Sequence, residues 1–495
     1  MLQLVVFGCG AAVMVLEIVG ARILAPFLGT SIVVWTGLIG VVMASLSLGY
    51  WQGGRIADRH PTARALSVVI LLAAILTAAT AVTKALLLAF LAGHGLGPRL
   101  GVIAAALLLF APAAGLLGMV SPFAVRLTLR DAATAGATAG RLYALSTLGS
   151  IVGTFAAGFV LVAALGSTTI LLVTAAFLAA LSLAASRTDV RAKGAAFGII
   201  LLCGLWLAAE NAMLAEAGIH DVDTAYGRVL VYQGMDPVSA RPIRVMATGP
   251  ARCQSAMYPD APDELALDYT RFFTLGLDMA PATPNVLVIG GGAFSFPRHV
   301  LEKRPQASVT VIELDPGVTE LASRHFGLAP HPGLTIVHED ARMVLNRPGG
   351  PYDLIYLDAF GTDYAPPFHL VTREAATRLR AQLAPDGAVM VNAIGPIEGD
   401  GSRFVRSLAA TFAAVFPDVA LYALGSPHEP RTAQNVMLVA RNQPGPMPEP
   451  NDSELRRFLG QRLAPAQGAE GAGAMVLTDE HAPVEWMCAL LFGND

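Results

Sequence analysis

A chain of 495 residues has room for two or three domains, and its 54% hydrophobic and 14% charged content lies outside the usual soluble range. Charge is divided unevenly: residues 1–210 carry 12 Lys/Arg and 5 Asp/Glu, the remainder 21 and 32, so the two parts bear +7 and −11. The basic part suits a bilayer with anionic lipid, and the acidic part argues against nucleic acid as a partner and favours a small cationic molecule. Cys9, Cys203, Cys253 and Cys488 show neither disulfide-framework nor zinc spacing, so no metal is expected.

Apolar runs of spanning length near 3–27, 31–53, 66–83, 101–120, 142–165, 169–185 and 194–209 predict about seven membrane helices in a domain covering 1–210. The first run has no basic leader and further spans follow it directly, which marks a span rather than a cleaved signal. Arg55, Arg59 and Arg64, then Arg126, Arg130 and Arg141, then Arg187, Arg191 and Lys193 mark three connections as cytoplasmic. Gly149, Gly153 and Ala157 recur at four-residue spacing, which lets helix backbones approach closely. Glu17 and Arg22 lie within the first span, where an ionisable group needs a partner or a cavity; they pair with each other, or Glu17 faces a polar cavity. The stretch GYWQGGRIADR at 49–59 looks like the short loop between helices in major-facilitator transporters.

Beyond residue 210 the pattern changes. Short β-type runs, RVLVY at 228–232 and IRVMA at 243–247, predict a small β-domain over 221–280. From 281 to 495 strands alternate with helical stretches: VLVIG at 286–290, VTVIEL at 309–314, LTIV at 334–337, DLIYLD at 353–358 and AVMVNA at 388–393. That is the pattern of a Rossmann-like, doubly wound parallel sheet, in which ligands bind beyond the carboxyl ends of the central strands. Four of those ends carry chemistry. Gly290, Gly291 and Gly292 let a ligand approach the backbone. Glu313 and Asp315 stand where an acid accepts ribose hydroxyls. Glu339 and Asp340 can receive an exocyclic amine, and Asp358 faces the reacting centre. A glycine turn and acidic strand ends in this order fit an adenine nucleoside; a dehydrogenase is less well served, because GGGAFS is not GxGxxG.

These residues resemble the spermidine synthase (polyamine aminopropyltransferase) family, in particular its membrane-fused branch. The likeness rests on DTAYGRVLV at 223–231, QSAMYPDAPDELALDYTRFF at 254–273, VLVIGGG at 286–292, VIELDP at 311–316, HEDAR at 338–342, YLDAF at 356–360 and LTDEHAPVEW at 477–486. The resemblance implies the fold of class I S-adenosylmethionine-dependent transferases and an S-adenosyl co-substrate, either S-adenosylmethionine or its decarboxylated form. It implies Glu313 at the ribose, Asp340 at the adenine and Gly290 to Gly292 at the donor's tail. Gln254 and Tyr269 would form the lid over the amine, Asp358 would accept its proton, and a homodimer is the expected assembly; a diamine further calls for anionic residues, for which Asp358, Asp363 and Asp260 are the candidates. Three departures remove contacts to a polyamine or to the decarboxylated donor: Ala293 and Phe294 replace the family's Asp-Gly, whose aspartate holds the donor's free amine, the next aspartate after Asp358 is Asp363 rather than one three residues on, and Thr270 follows the lid tyrosine where many members have His.

Three functions are expected in turn. The first is transfer of an aminopropyl group to an amine such as putrescine by an enzyme integral to the cell inner membrane. The second is methyl or related transfer to a membrane-delivered small molecule, and the third is a polyamine transporter or sensor whose soluble domain only binds. Seven crossings with basic connections inside would put the soluble domain outside, whereas the donor's origin in the cytosol places it in the cytoplasm and requires one helix to be miscounted, the seventh being among the weakest.

Overall fold

In a bilayer every backbone N–H and C=O must be satisfied within its own segment, which leaves the helix as the form open to the N-terminal apolar runs. The computed structural model describes residues 1–29, 32–94, 97–129, 131–248, 253–359, 367–426 and 428–489. Among the described residues seven helices are long and apolar enough to cross a membrane: Leu2–Leu28, Ile32–Arg59, Ala63–Leu91, Ala111–Thr128, Ala135–Ala164, Ser167–Ala185 and Val190–Glu216. The number agrees with the sequence, so the helix count supplies no miscounted span. The fourth span is displaced from 101–120, because the helix that starts at Gly97 ends at Leu109 and a new one begins at Ala111. Pro112 has no N–H to offer the Leu108 carbonyl, which breaks the ladder at that point.

The chain forms two compact units, Met1–Arg228 and Val229–Asp495. In the first, one continuous apolar core runs between the helices from Val5 to Ile200. Helix Leu2–Leu28 meets Ala135–Ala156 through glycine: a Cβ on Gly149 would stand 1.9 Å from the Phe7 carbonyl oxygen, and one on Gly153 2.3 Å from that of Ala11. The stretch 49–59 is not a loop but the end of helix Ile32–Arg59. Its glycines serve packing, since a Cβ on Gly49 would lie 2.1 Å from the Gly115 carbonyl oxygen and one on Gly53 2.6 Å from the Met119 Cα. Arg22 donates to the backbone carbonyls of Thr224 and Ala225. Glu17 lines a cavity instead, without an ion pair or hydrogen bond among the described residues.

Among the described residues the twelve strands are β1 (His220–Asp223), β2 (Arg228–Met235), β3 (Pro242–Ala247), β4 (Ser255–Tyr258), β5 (Ala261–Leu265), β6 (Asn285–Ile289), β7 (Ser308–Ile312), β8 (Leu334–Val337), β9 (Tyr352–Leu357), β10 (Leu383–Gly395), β11 (Asp418–Ala423) and β12 (Gln434–Arg441). In the second unit β2 to β5 form an antiparallel meander, followed by helix Asp268–Met279. β1 borders β2 at the edge of that small sheet, and β6 to β12 form one seven-stranded sheet in the order β11-β12-β10-β9-β6-β7-β8. β6, β7, β8, β9 and β10 are parallel, and β12 runs antiparallel to both its neighbours. Four consecutive buried residues, Val286 to Ile289, reflect a central strand covered on both faces. The strand order reverses between β6 and β9, so the crevice beyond their carboxyl ends is the place this Rossmann-like fold offers to a ligand.

The glycine contacts predict that Gly149→Val destabilises the first unit, by about 1–3 kcal/mol or more from overpacking. The check is thermal unfolding of detergent-solubilised protein; an unchanged midpoint would contradict the packing found here.

Candidate functional site

β6 leads into Gly290 to Gly292, and backbone contacts there leave little room for side chains. Gly290 has φ +98°, and an added Cβ would lie 2.3 Å from the Asp358 carbonyl oxygen. Glycine is required here because the loop after β6 touches the end of β9. A Cβ on Gly292, φ +51°, would sit 2.4 Å from Ser255 Oγ. That hydroxyl accepts the Ala293 N–H at 3.2 Å, so the β4 end fastens the glycine loop. Phe294 adopts φ +56°, an unusual conformation for a bulky side chain, and its ring is fully buried.

Glu313, just past β7, turns its carboxylate onto the same loop, accepting the Gly291 N–H at 2.8 Å through Oε2 and the Asp315 N–H at 2.9 Å through Oε1. Burial pushes its pKa up while these backbone donors pull it down. Each oxygen keeps a lone pair for a further donor. The other acids divide. Asp315 is buried and caps helix Pro316–His325, accepting the Gly317 N–H at 2.9 Å. Asp340 caps Ala341–Leu345 with one oxygen and leaves the other 3.5 Å from His369 Nε2. Glu339 forms a two-pronged ion pair with Arg347.

Asp358 stands one residue beyond β9. Asn392 Nδ2, on the neighbouring β10, donates to its Oδ1 at 2.9 Å, and Asn435 Nδ2 on β12 donates to Asn392 Oδ1 at 2.8 Å. The Tyr269 hydroxyl donates to the Gln254 carbonyl oxygen at 3.2 Å and lies close enough to the Asp358 carboxylate to act on its pKa. The tyrosine is held by an aromatic cluster: its ring meets Phe273 edge-on at 5.8 Å, and Phe273 packs on Tyr356 of β9 at 4.9 Å. Burial pushes the Asp358 pKa from 3.8 up to about 7, the Asn392 and Tyr269 hydrogen bonds opposing it. Gln254 Oε1 is buried without a hydrogen-bond partner among the described residues. Asp363 lies outside the described residues.

Of the expected site residues, the structure thus gathers Gly290 to Gly292, Glu313, Asp358, Tyr269 and Gln254 around one switch point. The arrangement can hold hydroxyls at Glu313 and offers a carboxyl poised near neutrality beside an unsatisfied acceptor, which suits a ligand rich in N–H donors and positive charge. Ser255, Asn392 and Asn435 were not singled out by the sequence. Asn392 in AVMVNA at 388–393 was the available signal, a polar residue at the end of an otherwise apolar strand.

No family model matches the chain. A polyamine aminopropyltransferase of Vibrio vulnificus is 30% identical over 202 residues, 40% of this chain and 64% of that relative. The chain therefore spans less than two thirds of that relative's length. Polyamine aminopropyltransferase 2 of Streptomyces coelicolor is 28% identical over 460 residues, 85% of this chain and 78% of the relative, a stretch longer than either compact unit. Among solved structures, a probable spermidine synthase from Corynebacterium glutamicum aligns with a TM-score of 0.43 at 22% identity, over 51% of this chain and 93% of that one.

Two outcomes follow from the geometry. Gly290→Ala is expected to cost about 1–3 kcal/mol through strain at positive φ, and more through the collision with Asp358. For Asp358, a folded pKa of about 7 against 3.8 in an unfolded chain means the folded state holds the proton more tightly. The resulting stability is fully present below about pH 4 and is lost as pH rises through about 7, at about 1.4 kcal/mol per pKa unit. Asp358→Asn should therefore be more stable than wild type near about pH 8, with the difference shrinking towards about pH 4, as read by denaturant titration.

Proposed function

We propose that this chain, a relative of the polyamine aminopropyltransferases, is a membrane-integral transferase that moves an aminopropyl group from decarboxylated S-adenosylmethionine to an amine such as putrescine. The observation that carries the reading is the Asp358 carboxyl, raised to about 7 and placed beside Tyr269. In the reaction the amine nitrogen bonds to the donor's propyl carbon, the C–S bond breaks, and its electron pair returns the sulfonium to a neutral thioether, methylthioadenosine. The proton leaving the amine goes to Asp358. A sulfonium is already a good leaving group, so the protein's part is to align and deprotonate the nucleophile.

In this reading Glu313 takes the ribose hydroxyls with its free lone pairs. Asp340 takes the adenine amine with the oxygen not used in capping, and Gly290 to Gly292 border the donor's tail. Gln254, Tyr269 and Asp363 hold the acceptor. A second reading, methyl transfer from S-adenosylmethionine, is favoured by one observation: Ala293 and Phe294 are buried and present no acid to the donor's amine.

The reading puts the second unit on the cytoplasmic face of the inner membrane, where the donor is made. That location requires one of the seven helices not to cross. Val190–Glu216, with Arg191 and Lys193 in its first turn and only 17% of its apolar window buried, is the candidate. Labelling of single cysteines at Glu216 and Asp452 in intact cells decides the side: protection from an impermeant maleimide is expected, and labelling from outside refutes the placement.

The activity test incubates solubilised full-length protein with either donor and putrescine and identifies products by mass spectrometry. Methylthioadenosine with an aminopropylated amine is expected, and S-adenosylhomocysteine would select the second reading. Asp358→Asn should lower kcat by a factor of about 100 or more. In wild type kcat/KM should rise as pH increases through about 7, as the free carboxyl loses its proton, and the variant should lack that limb.

A further inference from the structure

A cavity of about 180 Å³ lies inside the first unit, between helices Leu2–Leu28, Ile32–Arg59, Ala111–Thr128 and Ala135–Ala164. Glu17 is the charged residue among its lining, which otherwise carries the hydroxyls of Tyr50, Ser121, Ser146 and Ser150 on apolar walls. Ser150 Oγ donates to the Gly10 carbonyl at 3.2 Å, leaving its lone pairs free to accept. Glu17 itself has no ion pair or hydrogen bond among the described residues.

We infer that this cavity is a binding site for a small primary alkylammonium ion, with Glu17 as its counter-ion. An ionised carboxylate inside a span is costly unless matched by positive charge, and no basic side chain lines the cavity to supply it. A hard divalent cation is poorly matched, because such ions gather about six or more oxygen ligands or keep their own waters, and one carboxylate with a few neutral hydroxyls is too little. An ammonium brings three N–H donors to one carboxylate and neighbouring hydroxyl acceptors, and its alkyl chain suits the apolar wall. The volume fits a molecule of a few heavy atoms, below the roughly 300 Å³ at which drug-sized pockets begin. Met43 and Tyr50 line the cavity and are each about half exposed at the bundle surface, so the cavity opens sideways and a ligand can enter from there.

The site is separate from the Asp358 crevice and does not rest on the transferase reading. The test is calorimetric titration of the solubilised full-length protein with n-butylammonium chloride at neutral pH. Because the Asp358 crevice also takes an amine in the proposed function, the comparison is made with that site removed: Asp358→Asn should still bind saturably, and Asp358→Asn combined with Glu17→Gln about tenfold or more weakly. Tetramethylammonium, which has charge but no N–H, should bind wild type about tenfold or more weakly than butylammonium, a comparison independent of any variant's folding. Repeating the titration in nanodiscs with and without phosphatidylethanolamine separates the sources: competition makes a lipid headgroup the natural occupant, and no competition makes it a free amine. No binding to wild type, loss of all binding in Asp358→Asn, or equal binding by Asp358→Asn with and without Glu17→Gln overturns the assignment.

Discussion

The second unit is organised around one unfavourable act, the enclosure of the Asp358 carboxyl at the end of β9. Desolvation raises its pKa to about 7, and the neighbours that oppose the shift are neutral: an asparagine and a tyrosine. No guanidinium or ammonium of the described chain is among the groups acting on it. A carboxyl in that state is completed by a cation that arrives with a ligand, and it then gains both charge pairing and a proton to accept. The surrounding features support this placement. Gly290 must lack a side chain because the Asp358 carbonyl occupies that space, and the Asn435 to Asn392 chain fixes one carboxyl oxygen from two further strands. The aromatic cluster of Phe273 and Tyr356 holds the Tyr269 ring.

The donor side follows a different logic. Glu313 is held by backbone N–H groups rather than by side chains, so its position is set by the glycine loop and changes little with sequence elsewhere. The loop in turn depends on Ser255 from the small sheet, which ties the two halves of the second unit at the crevice. Ala293 and Phe294 are turned into the core, so the polar atoms facing the crevice come from the loop backbone, Glu313 and the residues around Asp358.

Much of this was legible in the sequence because strand ends in a doubly wound sheet are dictated by apolar periodicity, and periodicity is strong in VLVIG, LTIV and DLIYLD. Asp358 and the three glycines could be placed for that reason. Other features were hidden for physical reasons. An acid after a strand can serve a ligand or cap the next helix, and only the coordinates show Asp315 doing the second and Asp340 sharing itself between capping and His369. Glu339 pairs with Arg347, a partner eight positions on that no strand-end rule foresees. The glycines of 49–59 suggested a loop because glycine breaks helices in water; within lipid they permit the close approach of Ile32–Arg59 to its neighbour.

The account turns on the protonation of one group, and difference infrared spectroscopy reads it directly. Wild-type protein titrated across neutrality should lose a carboxylic-acid carbonyl band with a midpoint near 7, and that band should be absent from Asp358→Asn. A wild-type carboxyl already ionised at about pH 5, with no band assignable to Asp358 above it, would contradict the account.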